Sequence, residues 1–236
     1  LGALMFTLSN QYNKLIDLYK IMAKNGYKFS KSTIKVLAEN GYKVSDKTIV
    51  EEAYSNAEPH KFAEQLKVIV KYLNAKTALD YGSGGSDLNS TKLDNGNKFL
   101  EYIGLNKCYS FEPAREKKLK KKSDLVLCFD VLEHIFINDI PWVINDLFKN
   151  AKKGIIINVA CYEAAALLPN GENAHITVRP PAWWLGQLEC VSSLHPNIYW
   201  ALFASTGYQN PKFLGMRRMK DRLDSNNFFQ PYDKWN

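Results

Sequence analysis

From residue 76 onward the chain is organised by short apolar runs separated by longer stretches of mixed polarity. Thr77-Ala78-Leu79-Asp80-Tyr81, Cys108-Tyr109-Ser110-Phe111-Glu112, Asp124-Leu125-Val126-Leu127-Cys128-Phe129 and Gly154-Ile155-Ile156-Ile157-Asn158-Val159-Ala160 read as strands. Strands that are apolar on both faces belong in a parallel sheet covered by helices on each side. Residues 198–205 and 212–216, joined by a turn containing Gly207, read as a closing antiparallel hairpin. The pattern predicts an α/β fold with a doubly wound, mostly parallel sheet and a C-terminal antiparallel hairpin.

Residues 10–70 read as helical and contain an internal echo. Lys20-Ile21-Met22-Ala23-Lys24-Asn25-Gly26-Tyr27-Lys28-Phe29-Ser30 is repeated in outline by Lys35-Val36-Leu37-Ala38-Glu39-Asn40-Gly41-Tyr42-Lys43-Val44-Ser45. Each copy predicts a helix stopped by Asn-Gly, followed by a Ser placed to cap the next helix. Two copies are too few for a solenoid. The chain is therefore divided into an N-terminal helical extension over residues 1–60 and a main domain over 61–236. The extension is read as a cap over a site mouth, with a helix-turn-helix module gripping nucleic acid or a partner as the alternative.

Hydrophobic residues make up 46% of the chain and aromatics 13%, enough apolar surface for a packed core. The run Ala164-Ala165-Ala166-Leu167-Leu168 ends at Pro169, and no apolar stretch reaches the roughly 18 residues that a membrane span needs. Residues 1–5 lack the basic start of a secretory signal. Cys108, Cys128, Cys161 and Cys190 form no C-x-x-C pair, which favours reduced thiols over a disulfide frame or a zinc site. These features predict a cytoplasmic protein with no membrane partner and no metal. The net charge of +7 is concentrated, since residues 115–122 carry six basic side chains and one acid.

The chemistry gathers at the predicted strand ends. Asp80-Tyr81-Gly82-Ser83-Gly84-Gly85-Ser86 places an acid before a glycine turn, where the backbone approaches a ligand closely and the carboxylate orients an ammonium group. In a dinucleotide site of the type G-x-G-x-x-G the third glycine position would be Asp87, an anion where a pyrophosphate has to sit. Glu112, followed by Pro113, ends the second strand and is suited to a pair of ribose hydroxyls. Phe129-Asp130-Val131-Leu132-Glu133-His134 begins where the third strand stops, with His134 expected to open a helix.

Taken in order, these three segments resemble the class I, Rossmann-like S-adenosylmethionine-dependent methyltransferases, especially members carrying D-V-L-E-H, over about residues 76–160. The resemblance implies that Asp80, Gly82, Ser83 and Gly84 hold the methionine part of the cofactor, Glu112 and Pro113 the ribose, and Phe129, Asp130 and His134 the mouth of the site. The family normally fits a further helix and strand between Glu112 and Asp124, and this chain has only eleven residues there, so that strand is expected to be shortened or absent. Residues 173–184 also resemble a bacterial subgroup with N-A-H-I-T followed by Pro-Pro and an aromatic pair.

For proton removal from an acceptor, the candidate bases are His175, His134, Asp130 and Glu133, with His175 and Asp130 favoured. Arg179-Pro180-Pro181-Ala182-Trp183-Trp184 predicts a helix start at which at most one tryptophan faces the core fully. Arg179, Trp183 and Trp184 are the candidate substrate contacts, and His60 and His195, beside prolines, read as turn residues. The leading function is methyl transfer to a small molecule such as a sugar, nucleotide-sugar or other metabolite. Two alternatives stay open: a nucleic-acid methyltransferase using the N-terminal helices and the run Lys117 to Lys122, and a non-catalytic partner subunit. Residues 228–235, rich in aromatics, fold back or dock a partner.

Overall fold

The computed structural model describes residues 8–51, 58–117 and 119–207, together with the backbone of 213–218. In chain order the N-terminal part forms α1 (Tyr12–Asn25), β1 (Tyr27–Phe29), α2 (Lys31–Glu39) and β2 (Ile49–Val50). Next come α3 (Ala63–Tyr72), β3 (Thr77–Tyr81), α4 (Phe99–Ile103), β4 (Lys107–Phe111) and β5 (Ser123–Phe129). The chain continues with α5 (Ile140–Asn150), β6 (Ala151–Ala160), β7 (Ala166–Leu167), α6 (Pro181–Ser192), β8 (Tyr199–Ser205) and β9 (Phe213–Arg218). The four apolar runs are strands, as is each arm of the closing hairpin; the turn residues 208–212 and the aromatic tail 228–235 lie outside the described residues.

The main sheet has the order β4-β3-β5-β6-β8-β9, parallel throughout except for β9. From β3 the chain steps outward to β4 and then returns to the other side of β3 with β5. That reversal opens a crevice at the carboxyl ends of β3 and β5, where ligands bind in sheets of this kind. Period-two alternation sorts the strand residues into two cores. Leu79, Tyr81, Val126, Cys128, Ile155, Ile157, Trp200 and Leu202 pack under α5 and α6. Ala78, Leu125, Leu127, Phe129, Ile156, Ala201 and Phe203 pack under α3 and α4. The sheet is therefore buried on both faces, and each fully buried aliphatic chain contributes about 1.5–3 kcal/mol of transfer free energy.

The N-terminal part departs from the all-helical reading. Ser30 accepts the Thr33 N–H at 3.2 Å and caps α2, as its position predicts. No helix follows Ser45; the chain instead runs into β2, and β1 lies between β2 and β7 in a small antiparallel sheet. Docking explains the departure. Leu15 and Met22 of α1 pack on Ala164, Ala166, Leu168 and Ala174, and pairing of β1 with β7 satisfies backbone groups that would otherwise lie buried. Asp139 is fully buried and accepts hydrogen bonds from the backbone N–H (2.5 Å) and hydroxyl (2.8 Å) of Ser9, which anchors the start of α1 to the main domain.

Two other features shape the surroundings of the crevice. No helix opens after the glycine loop, because residues 82–98 are turns and the following α4 has five residues. Between Glu112 and Asp124 no strand forms among the described residues, so β4 is the sheet edge, and the Glu112 N–H bonds the Lys117 carbonyl at 2.7 Å in a tight return. Among the described residues no helix is long and apolar enough to cross a membrane.

Candidate active site

Gly82 and Gly84 both take left-handed backbone conformations, with φ of +81° and +52°. At Gly82 a Cβ would stand 2.4 Å from Cγ2 of Val131, so the loop passes the segment after β5 with no room for a side chain. The N–H groups of Gly82 and Ser83 both point at the Phe111 carbonyl at the end of β4, at 2.8 and 3.1 Å. Glu112 accepts the Gly84 N–H on one carboxylate oxygen and the Ala114 N–H on the other, both at 2.9 Å. Each oxygen still has a second lone pair available to a hydroxyl. From the opposite side Lys117 Nζ donates to the carbonyls of Ser86 (2.6 Å) and Gly84 (3.2 Å) and lies 3.5 Å from the Ser83 hydroxyl.

Asp80 sits beneath this loop at the end of β3. It is 3% exposed, and its Oδ2 has no hydrogen-bond partner among the described residues. Burial pushes its carboxyl up to about 7, with Glu112 and Asp87 adding to the rise and Lys117 opposing it. A buried carboxylate with an orphan oxygen is costly unless a cation or donor meets it.

Asp130 follows β5 directly in a left-handed conformation, φ +54°, which an aspartate tolerates better than most residues. Its N–H bonds the Asn158 carbonyl at 3.1 Å, and the Asn158 amide donates to its carboxylate. Burial and the nearby Glu58 raise its carboxyl to about 7, against the Asn158 hydrogen bond and Lys61.

Two histidines complete one wall. His134 and His175 stand edge to face with ring centroids 4.8 Å apart. His134 Nδ1 lies 2.9 Å from the Ala174 carbonyl, to which the Tyr19 hydroxyl also donates at 2.8 Å. His175 Nδ1 lies 2.5 Å from the Tyr162 carbonyl, and its backbone N–H bonds Asn173 Oδ1 at 2.9 Å. Burial, with the neighbouring His175, pulls His134 down to about 3, and burial also lowers His175. Both rings are neutral at pH 7.

These groups line one cavity of about 300 Å³. It takes in Asp80, Gly82, Ser83, Gly84, Glu112, Pro113, Phe129, Asp130, His134 and His175, so strand ends and loops far apart in sequence meet there. Arg179, Trp183 and Trp184 are not on its wall. Arg179 is exposed and donates to the Val178 carbonyl at 3.1 Å, while Trp184 is buried in the core with its indole N–H on the Arg179 carbonyl at 3.2 Å. One tryptophan of the pair is fully buried, as the 100° spacing requires. Glu133 is likewise not on the wall: it is fully buried and accepts the Ala160 N–H at 2.9 Å. His134 lies in a short 3-10 turn, Leu132–His134, and the helix begins only at Ile140. Of the other two histidines, His60 lies in the 3-10 segment Glu58–Phe62, and His195 stacks on Phe148.

The sequence reading of a cap over the site mouth named none of its lining residues. Tyr12, Ile16, Tyr19 and Ala23 lie along one face of α1, with Tyr27, Tyr162 and Ala164 to Ala166 beside them. Their spacing of four, three and four residues was available in the sequence as a helical stripe separate from Leu15 and Met22. Asn158 was also legible in principle, as a lone amide in an otherwise apolar strand. Among the basic run, Lys117 holds the glycine loop, and Lys120 pairs with Asp146 at 2.6 Å and lies 4.6 Å over the Phe111 ring. The cysteines carry no disulfide; Cys108 and Cys128 are buried and Cys190 is exposed.

No protein-family model matches this chain, and no curated protein matches it.

Proposed function

We propose that this chain is an S-adenosylmethionine-dependent methyltransferase acting on a small-molecule acceptor. The observation that carries the reading is the orphan Oδ2 of buried Asp80 beneath a loop that admits no side chain at Gly82. An ammonium group on the ligand meets that oxygen and offsets the cost of burying the charge. Glu112, on the neighbouring strand end, keeps lone pairs for two adjacent hydroxyls. A dinucleotide is the poorer fit, because no helix opens after the loop to offer its N-terminus to a pyrophosphate, and Asp87 supplies an anion there.

When bound, the cofactor supplies a methyl group on a sulfonium, an electrophile that needs no covalent help from the protein. The chain's own part is to orient, to exclude water and to hold a proton. Tyr12, Ile16 and Tyr19 of α1 roof the cavity and limit solvent access. Asp130, raised toward neutrality, and neutral His175 are two groups on the wall able to take a proton from an acceptor hydroxyl or amine. The α1 side chains over the cavity support a small acceptor over a polymer, and the intramolecular partners of Lys117 and Lys120 leave less of the basic run for phosphates.

Calorimetry tests this reading. S-adenosylmethionine and S-adenosylhomocysteine are expected to bind with one site per chain, NAD not at all, and Asp80→Asn to weaken the methionine-bearing ligands. Binding of NAD in preference, or no heat with either nucleoside at millimolar concentration, would remove the proposal.

A further inference from the structure

Glu133 is the buried acid that methyl transfer leaves without a task. One carboxylate oxygen accepts the Ala160 N–H, and Oε2 is fully buried with no hydrogen-bond partner among the described residues. Ligand-capable atoms of Glu133, His134 and His175 lie within 4.8 Å of one another. The two rings are oriented from behind by backbone carbonyls, Ala174 for His134 and Tyr162 for His175. A carbonyl only accepts, so the proton is assigned to each Nδ1, that of His134 shared between the Ala174 carbonyl and the Tyr19 hydroxyl 2.9 Å away, and each ring then has its lone pair on Nε2. Metal-binding histidines are held in this way, one N–H fixed on a carbonyl and the other nitrogen ligating.

We propose that Glu133, His134 and His175 form a binding site for a divalent first-row transition-metal ion. Two imidazoles and one carboxylate suit zinc, iron(II) or manganese, whereas magnesium and calcium prefer an all-oxygen set. Donors around a tetrahedral ion with bonds of about 2.1 Å stand about 3.4 Å apart, so loading draws the set inward by roughly an ångström. His134 and His175 both line the cavity, so the ion borders the space assigned to the acceptor. An acceptor hydroxyl on the ion ionises more readily. His175 then serves as a ligand, and Asp130 remains as the proton acceptor on the wall. The metal site goes beyond methyl transfer and does not depend on it; only its role toward the acceptor rests on that reading.

The test uses the tag-free, chelator-stripped full chain. Cobalt(II) is expected to give visible ligand-field bands at one ion per chain, displaced by zinc, with magnesium silent. His175→Ala and Glu133→Gln should each weaken zinc binding at least ten-fold, while the far-UV circular dichroism and a single cooperative unfolding transition of each stripped variant match the stripped wild type, showing that the fold is intact. Absence of zinc and cobalt binding, or equal affinity in the wild type and both variants, overturns the site and assigns Glu133 a proton in place of an ion. Metal binding without S-adenosylmethionine binding would uphold this site and sink the methyl-transfer reading; the reverse result would do the opposite.

Discussion

The cavity has a floor and a roof of different construction. The floor is made at strand ends: Asp80 near the end of β3, Glu112 and Asp130 directly after β4 and β5, held by sheet register, by two backbone N–H groups on Glu112 and by the Asn158 amide on Asp130. The roof is a single helix face, Tyr12, Ile16, Tyr19 and Ala23, held down by Leu15 and Met22 and by hydrogen bonds to residues more than a hundred positions away. The floor is acidic, tightly determined and intolerant of side chains. The roof is aromatic and rests on one small hydrophobic cluster. Ligand identity is therefore expected to reside in the floor, and access in the roof.

The largest effect should come from crowding the floor. Gly82→Ala places a Cβ against Val131 in a backbone conformation that costs an alanine about 1–2 kcal/mol, and Gly84→Val strains the adjacent left-handed turn. Both variants should lose measurable S-adenosylmethionine binding; wild-type affinity in either, by calorimetry, would mean that the loop is not the ligand's seat.

Loosening the roof comes next. Leu15→Ala removes a buried side chain from the cluster that seats α1, and such truncations cost about 2–5 kcal/mol. Amide exchange in α1 should accelerate while β5 and β6 stay protected. Uniform loss of protection across the sheet would show that roof and floor unfold as one unit.

Asp80→Asn separates charge from shape. Losing a charge-assisted contact of about 1.5–3 kcal/mol should weaken the cofactor ten- to hundred-fold. The pH dependence has a definite sign. Asp80 holds its proton more tightly when folded, near 7, than its ordinary value of 3.8, so its stabilising contribution is present in acid and is lost as pH rises from about 4 to 7. Affinity for an ammonium-bearing ligand should climb over the same interval, as the carboxylate forms. Thermal unfolding and titrations between pH 5 and 8 report both trends, and Asp80→Asn should flatten them; persistence of the slopes in that variant would transfer them to Asp130.

Tyr19→Phe is the mildest probe. It deletes a hydroxyl shared by the Ala174 carbonyl and His134, worth about 1 kcal/mol. A several-fold rise in KM for the acceptor with unchanged cofactor affinity is expected. A change in cofactor affinity alone would move Tyr19 from the roof to the floor.

The sequence by itself determined the floor, because each of its parts is local. An apolar run followed directly by an acid and a glycine turn carries its strand, its end and its bend within about eight residues, and Asp80, Glu112 and Asp130 were legible for that reason. It also determined the two-sided burial of the sheet, since only residues apolar on both alternating faces could form β5 and β6. Tertiary structure alone decided the rest. Ile16 and Leu15 are neighbours of like character, yet one faces the cavity and the other the cluster, and only the seat of α1 on the segment around β7 separates them. Glu133 and His175 are 42 positions apart and His134 adjoins the first, so no spacing rule joins the three; the Thr177 N–H on the Glu133 carbonyl at 2.9 Å brings the segments together. Arg179 and the tryptophans lie off the cavity wall for the same reason, because a helix start says which residues begin it and not which wall it is packed against.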